Sequence, residues 1–309
     1  MTQQQVSPRV LRAIQSTNLF DSAESYRAAG QLTEIISGTY TLKMPPLASG
    51  NMFIVDNTPD PGLERLEVTR VDMIGGTSED NRNGGNSYDR VDLVETSDGR
   101  RVIRYTNVYG FSIDEIERAA KRGVPLQGTK AQATRYVHNQ KSNDLVFNGA
   151  VGVEGLLNDP NIPQVNAPKK LSAMTGEELL DFLNQQILAA TKQTFGRFVI
   201  DSIASTPTAM SAIGTKLITG TAATAASVLF STGGSSITNR YNAYEMSKDG
   251  SDYMLVYAKD PVAGKVRNPL PFRQLPPQYA GTMLDIYCMS ASGGLMISEP
   301  GAFLLIKGV

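Results

Sequence analysis

Reactive side chains are scarce in this sequence. It has one cysteine, Cys288, and one histidine, His138, among 309 residues. A single cysteine excludes a disulfide within the chain and a cysteine-based metal site. A single histidine excludes zinc sites built on histidine clusters and most triads that use histidine as a base. No run of about 18 apolar residues is present, so the sequence offers no transmembrane helix and no membrane partner. The start, MTQQQVSPRV, has no apolar signal region, which predicts a chain that is not secreted. An excess of one charge is missing too: 29 Lys and Arg face 30 Asp and Glu, for a formal net charge of −1. A protein that neutralises many phosphates is normally strongly basic. Any nucleic acid this chain encloses therefore meets a nearly neutral wall.

Phosphate-loop chemistry is missing as well. Gly75-Gly76, Gly84-Gly85, Gly233-Gly234 and Gly293-Gly294 lack both GxxxxGK[ST] and GxGxxG spacing, and read as turns. Asp89, Asp92 and Asp98 do not follow a calcium-loop pattern and read as solvated charges. No serine sits in a GxSxG elbow. His138, mid-helix beside Asn139, reads as a surface or interface residue. Cys288, inside DIYCM, reads as a small buried hydrophobe. Lys265 and Arg267 are explained most simply by a partner carboxylate. The sequence thus predicts no catalytic, cofactor or metal site.

What is present is ordinary globular material. Hydrophobic residues make up 41% and charged residues 19%, which excludes wholesale disorder. The length suggests two domains or one large domain with excursions. The clearest stretch runs from Phe111 to Asn158. Ser112 and Glu115 form a capping-box pattern, acidic residues lead and basic residues follow, and Gly123 and Pro125 end a first short helix. A second helix is predicted over Gly128–Phe147, with Ala131, Ala133, Val137, Leu145 and Phe147 as its apolar stripe. It would span about 30 Å.

Elsewhere, residues 1–36 carry small apolar patches (Val10, Leu11, Ile14, Leu32, Ile35) that need a partner surface. Residues 51–55 read as a strand. Alternating segments around Leu66–Met73 and Asp89–Glu95 predict a ribbon, Ser97-Asp98-Gly99 predicts a hairpin turn, and Val102–Tyr109 a last strand. Such a ribbon, with little apolar content expected on either face, is marginal alone and gains from lying on a neighbour. A helix over Glu177–Phe195 has Leu179, Leu180, Phe182, Leu183, Ile187 and Leu188 as its apolar face, with a second capping box at Thr175 and Glu178. Strands are expected over 198–203, 253–257, 282–289 and 302–306, and short helices over 207–218 and 222–230.

Two runs carry a family resemblance. EIERAAKRG…KAQATRYVHNQKSNDLVFNG…GLLN resembles the spine-helix region of tailed-phage major capsid proteins and, more distantly, of encapsulin shell proteins. DGSDYMLVYAKDPVAGKVRNPLPFRQLPPQ…GLMISEPGAFLLIKGV resembles the DUF2184-type phage capsid family. The resemblance covers most of the chain beyond residue 38, in order. It implies an α+β, HK97-like fold in four parts. These are an N-terminal arm (1–38), an extended β-hairpin loop (60–104), a peripheral domain (39–59, 105–154 and 280–309, with the spine helix near 128–148) and an axial domain (155–279).

It also implies a structural protein that self-assembles, as pentamers and hexamers, into an icosahedral shell around a double-stranded DNA genome. The shell would belong to a virion assembled in the host cytoplasm. Implied partners are decoration or cement, portal and scaffolding proteins, with DNA contacted non-specifically. The prototype's long N-terminal scaffolding segment has no counterpart here, so scaffolding is expected to be separate or absent. Subunit contacts are expected from Val10, Leu11, Ile14, Leu32 and Ile35 on the arm, and from Arg70, Asp72, Arg90 and Asp92 on the ribbon. The alternative shell is an encapsulin-like compartment around a protein cargo. An α/β enzyme acting on carbohydrate or nucleotide lacks the chemistry it would need.

Overall fold

The structure is a computed structural model that describes residues 44–75, 91–122, 127–231 and 236–309. The chain divides into two units, 1–46 and 47–309. All that follows concerns the second. The arm residues Val10, Leu11, Ile14, Leu32 and Ile35, the ribbon residue Arg90, and the helix stop at Gly123 and Pro125 lie outside the described residues.

The core is built on one mixed sheet. Its middle strand is β9 (Ser251–Tyr257), where Met254, Leu255, Val256 and Tyr257 have no solvent exposure. A continuous apolar run suits a strand covered on both faces. On one side β9 pairs antiparallel with β15 (Phe303–Lys307), which pairs parallel with β5 (Gln164–Asn166). On the other side it pairs antiparallel with β6 (Ser202–Ser205), which pairs parallel with β7 (Asn239–Asn242). A short β8 (Ser247–Lys248) returns onto the start of β9. The chain's last strand therefore sits inside the sheet made by residues 164–257.

Helix α4 (Gly176–Gln193) packs on β9 and β15. Its Thr175–Glu178 capping box forms as expected, with Glu178 also held by Lys169. Leu179, Leu183, Ile187 and Ala190 are buried, each large side chain contributing roughly 1.5–3 kcal/mol. Leu188, expected on this face, is exposed instead, because the buried stripe steps from 187 to 190. Two short helices, α5 (Pro207–Thr215) and α6 (Ala225–Leu229), follow with Thr206 and Thr224 as N-caps. Next to the sheet, Tyr257 stacks on Phe303 (5.8 Å, 10°), tilts against Phe53 and donates to the Met52 carbonyl at 2.7 Å. Residues 49–52 are a helical turn, α1 (Ser49–Met52), before a strand β1 (Ile54–Asp56). The expected strand thus starts later: Met52 and Phe53 dock into the core, and Ser49 N–H donates to Asn143 Oδ1.

β1 pairs with β10 (Gly264–Arg267), which pairs with β14 (Leu295–Ile297). The carboxylate expected for Lys265 and Arg267 is Asp56, 3.2 Å and 2.6 Å away. Hydrogen bonds from the Thr58 hydroxyl and amide, then Lys265 and Arg267, hold its carboxyl down at about 2.

A second layer carries the long helix. β4 (Ile103–Ser112) pairs along its whole length with β13 (Met283–Ser292), whose other edge takes β11 (Leu270–Gln274) and β12 (Gln278–Ala280). Ser112 Oγ accepts from Glu115 N–H and starts α2 (Ile113–Arg122). Glu115 does not reach back. Its carboxylate is held by Lys130 at 3.0 and 3.1 Å, and Lys130 also bonds the Gly110 carbonyl and covers the Phe111 ring. Lys130 belongs to α3 (Gln127–Asn148), the long helix expected from Gly128.

The face that α3 turns to the sheet differs from expectation. Val137 is exposed, while Thr134 and His138 are buried. His138 lies against Ser290 Oγ (2.6 Å), Asn107 Oδ1 (2.8 Å) and the edge of Phe272. Ser142 meets Ser292 one turn on. The apolar residues cluster at the helix end, where Leu145, Val146 and Phe147 are buried. Hydrogen-bond demand on the sheet therefore set this face. Asn107 Oδ1 accepts only, so Nε2 carries the proton and Nδ1 accepts from Ser290.

Burial pushes the His138 pKa down from 6.5. Its neutral form is then favoured in the folded state. Stability is full above pH 6.5 and declines as pH falls towards the lowered folded value. Urea melts between pH 7.5 and 5 should show a positive slope of stability with pH, and His138→Gln should flatten it.

Candidate assembly interface

The sequence predicts a turn at Ser97-Asp98-Gly99, yet these residues run straight through a strand. β3 (Asp92–Arg101) pairs antiparallel with β2 (Arg65–Ile74), from Arg65↔Arg101 to Ile74↔Asp92. Only Val102 separates β3 from β4, and its N–H donates to the Glu64 carbonyl at 2.8 Å. One extended chain thus serves two sheets: β3 belongs to the ribbon and β4 to the body. Each half has a longer partner than the other could be, so the turn signal loses. A Cβ at Gly99 would sit 2.4 Å from Arg65 Nε, the end of an exposed side chain that crosses it and is free to swing aside.

At about 3.4 Å per residue the described part of the ribbon is about 30 Å long. Its root is fastened. Leu66 and Val102 are buried with Ala291 and Met296, and Val68 and Leu270 pack on them. Gly293 leaves room for Leu66, since a Cβ there would meet Leu66 Cδ1 at 2.6 Å.

Beside this cluster Arg100 is buried. Its guanidinium donates to the Leu295 carbonyl at 2.6 Å, the Glu154 carbonyl at 2.9 Å and the Asp159 carboxylate at 2.8 Å. The Arg100 and Asp159 side chains are 7% and 3% exposed. A cleft of about 210 Å³ opens between this pair, Thr96, Asp98 and Pro300.

Beyond the root none of the described residues covers the ribbon. Directly paired residues share a face. Val71, Met73 and Leu93 therefore lie on one face, Ile74 and Val94 on the other, and all five are exposed. Met73 reaches 82% exposure. A two-stranded ribbon that shows apolar side chains on both faces has no reason to persist in water by itself.

Of the expected ribbon contacts, Arg70 and Asp72 lie on β2 opposite Thr96 and Val94, and Asp92 is exposed at the start of β3 opposite Ile74. Sequence reasoning chose these charged residues and passed over the apolar ones between them. It also missed Arg100, which in the run Gly99-Arg100-Arg101 has nothing to distinguish it from its exposed neighbour. Cys288 is buried as expected, and burial raises its thiol pKa. Among the described residues no group of three or more His, Cys, Asp or Glu could hold a metal ion, and no helix is long and apolar enough to cross a membrane.

Comparison with known proteins agrees with this geometry. No curated protein sequence matches the chain. Solved structures do. The capsid of the Myoviridae phage XM1 is similar at a TM-score of 0.76 and 18% identity, covering 91% of this chain and 98% of that one. The capsid of the native GTA particle is similar at 0.65 and 13%, covering 93% and 99%. The SrpI encapsulin of Synechococcus elongatus PCC 7942 is similar at 0.59 and 12%, covering 92% and 95%. The fold is therefore the HK97-like, mixed α and β fold of shell-forming proteins. The sequence profile of the major capsid proteins matches residues 79–309, well over half of the chain. Matched by that profile over most of its length, and with its long helix on a sheet and its projecting apolar ribbon, this chain belongs to the major capsid protein family.

Proposed function

We propose that the chain self-assembles, as pentamers and hexamers, into a closed icosahedral shell around a double-stranded DNA genome. The ribbon of each copy lies on a neighbouring copy. The observation that carries this reading is the set of exposed apolar side chains on both faces of β2 and β3, which none of the described residues covers. Burial against neighbours at about 25 cal/mol per Å² would make each contact modest and the closed lattice strong.

In this reading residues 1–38 are an arm that reaches other copies through Val10, Leu11, Ile14, Leu32 and Ile35. Residues 60–104 are the extended loop, and α3 is the spine of a peripheral domain with β4 and β13. Residues 155–279 form the axial domain, with β15 counted in the sheet it completes. Arg70, Asp72, Arg90 and Asp92 flank the apolar contacts. Cement, portal or scaffolding proteins join the shell in the virion, which is assembled in the host cytoplasm. The near-zero net charge fits a wall that holds DNA without reading it.

The second reading is a compartment around a protein cargo, favoured by the likeness to the SrpI encapsulin. Purification settles both. The expressed chain should elute as large particles and show closed shells by electron microscopy. A monomer of 33.3 kDa defeats both readings. Nuclease-protected double-stranded DNA in native particles supports the first, and a protected enzyme without DNA supports the second.

A further inference from the structure

We propose that Arg100 is a positioning residue for assembly, fixing the direction in which the ribbon leaves the subunit. This rests on reading the ribbon as the part that holds another copy. The apolar contacts at the root (Leu66, Val102, Ala291, Met296) form a small cluster. Apolar contacts have no preferred direction, so alone they form a hinge. The Arg100 guanidinium is different: it is a rigid planar fork, and three hydrogen bonds from its two terminal nitrogens fix its direction.

Its acceptors come from separate parts of the fold. They are the first residue of β14 (Leu295), the exit of α3 (Glu154), and Asp159 beyond that exit. Arg100 itself is on β3, opposite Leu66 on β2. It therefore ties the ribbon to three points that do not lie on it, from a site shielded from solvent where such bonds are strong.

Leverage makes the angle matter. Over a ribbon of about 30 Å, a tilt of about 20° at the root moves the far end by about 10 Å, enough to miss a neighbour's surface. A ribbon already aimed loses less freedom on docking, which favours association without any added contact. A buried pair of this kind specifies geometry more than it adds stability.

The test separates direction from folding. Two spin labels, at Glu95→Cys on the ribbon and Asp181→Cys on α4, are placed in a Cys288→Ala background. They report the spread of ribbon-to-body distances in dilute, unassembled subunits. The spread should be narrow with Arg100 and at least twofold broader in Arg100→Lys, which keeps the charge beside Asp159 but loses the fork. Arg100→Lys should also raise the concentration needed for assembly at least tenfold, with the thermal midpoint near that of the parent.

Arg100→Met with Asp159→Leu, which leaves no lone buried charge, should melt like the parent and assemble as poorly as Arg100→Lys. An unchanged distance spread in Arg100→Lys overturns the proposal, and so does a broadened spread with normal assembly. Should Met73→Glu with Leu93→Lys assemble normally, the ribbon reading itself fails, while the distance spread still decides whether Arg100 aims it.

Discussion

Met73→Glu combined with Leu93→Lys should abolish shell formation and leave the subunit folded. The two side chains face each other across the ribbon and are 82% and 56% exposed, so the isolated subunit loses almost no packing when they change. Substitutions at such positions usually alter stability by less than about 0.5 kcal/mol, and the opposed charges favour the strand pair slightly. The docked ribbon fares differently. Each apolar side chain gives up roughly 1.5–3 kcal/mol of burial, and each new charge resists removal from water. The loss recurs in every copy. Urea melts should overlay those of the parent, while chromatography and electron microscopy show subunits in place of particles. Shells at parental yield would remove the ribbon from the assembly mechanism.

Gly155→Ala should cost more in the folded subunit than any surface change. Gly155 follows the tight turn that ends α3, and the chain there doubles back along the helix end. Leu156 N–H donates to the Val146 carbonyl and Leu157 N–H to the Phe147 carbonyl, which satisfies acceptors that a helix end leaves open. A Cβ on residue 155 would lie 2.2 Å from Gly149 N, 2.5 Å from the Asn148 carbonyl carbon and 2.6 Å from Phe147 O. These are backbone atoms and cannot swing aside. Residues 154–159 would have to move, unseating Leu156 and Leu157 and shifting two of the acceptors that hold Arg100. Overpacking usually costs about 1–3 kcal/mol, and a clash against main chain belongs at or above the top of that range. Against a typical total of about 5–15 kcal/mol, poor soluble yield is expected. Gly214→Ala is the control, because the residue is helical and nothing lies within 4 Å of where the added methyl group would sit. Its stability should stay level or rise slightly. Denaturant midpoints of the two variants check this, and a Gly155→Ala midpoint equal to the parent's refutes the clash.

Sequence patterns were most legible where one local cause dominates. The Thr175–Glu178 cap, the apolar run of β9, the buried Cys288 and the carboxylate partner of Lys265 and Arg267 all follow from near neighbours or simple burial. Other features depend on partners far along the chain. Ser97-Asp98-Gly99 is a good turn by itself, and only its pairing with β2, with β13 holding the chain that follows from Ile103, keeps it straight. His138 looks polar and therefore exposed until Asn107 and Ser290 are beside it. The apolar residues of the ribbon alternate between two faces, and beyond the root neither face is buried by the described residues. Such a pattern has no one-sided apolar stripe, and in sequence it is indistinguishable from a solvated strand marked only by its charges. Arg100 carried no local mark at all.

The contacts beneath α3 also set a standard of length. An apolar helix face can slide by a turn, about 5.4 Å, and find grooves that fit nearly as well. His138 on Ser290 and Asn107, with Ser142 on Ser292, cannot be shifted in this way without leaving buried polar atoms unmatched. The helix thus has one seat on its sheet. Every copy comes off the ribosome as the same gauge block, and tiles of equal size are what a repeating surface needs before any two of them have met.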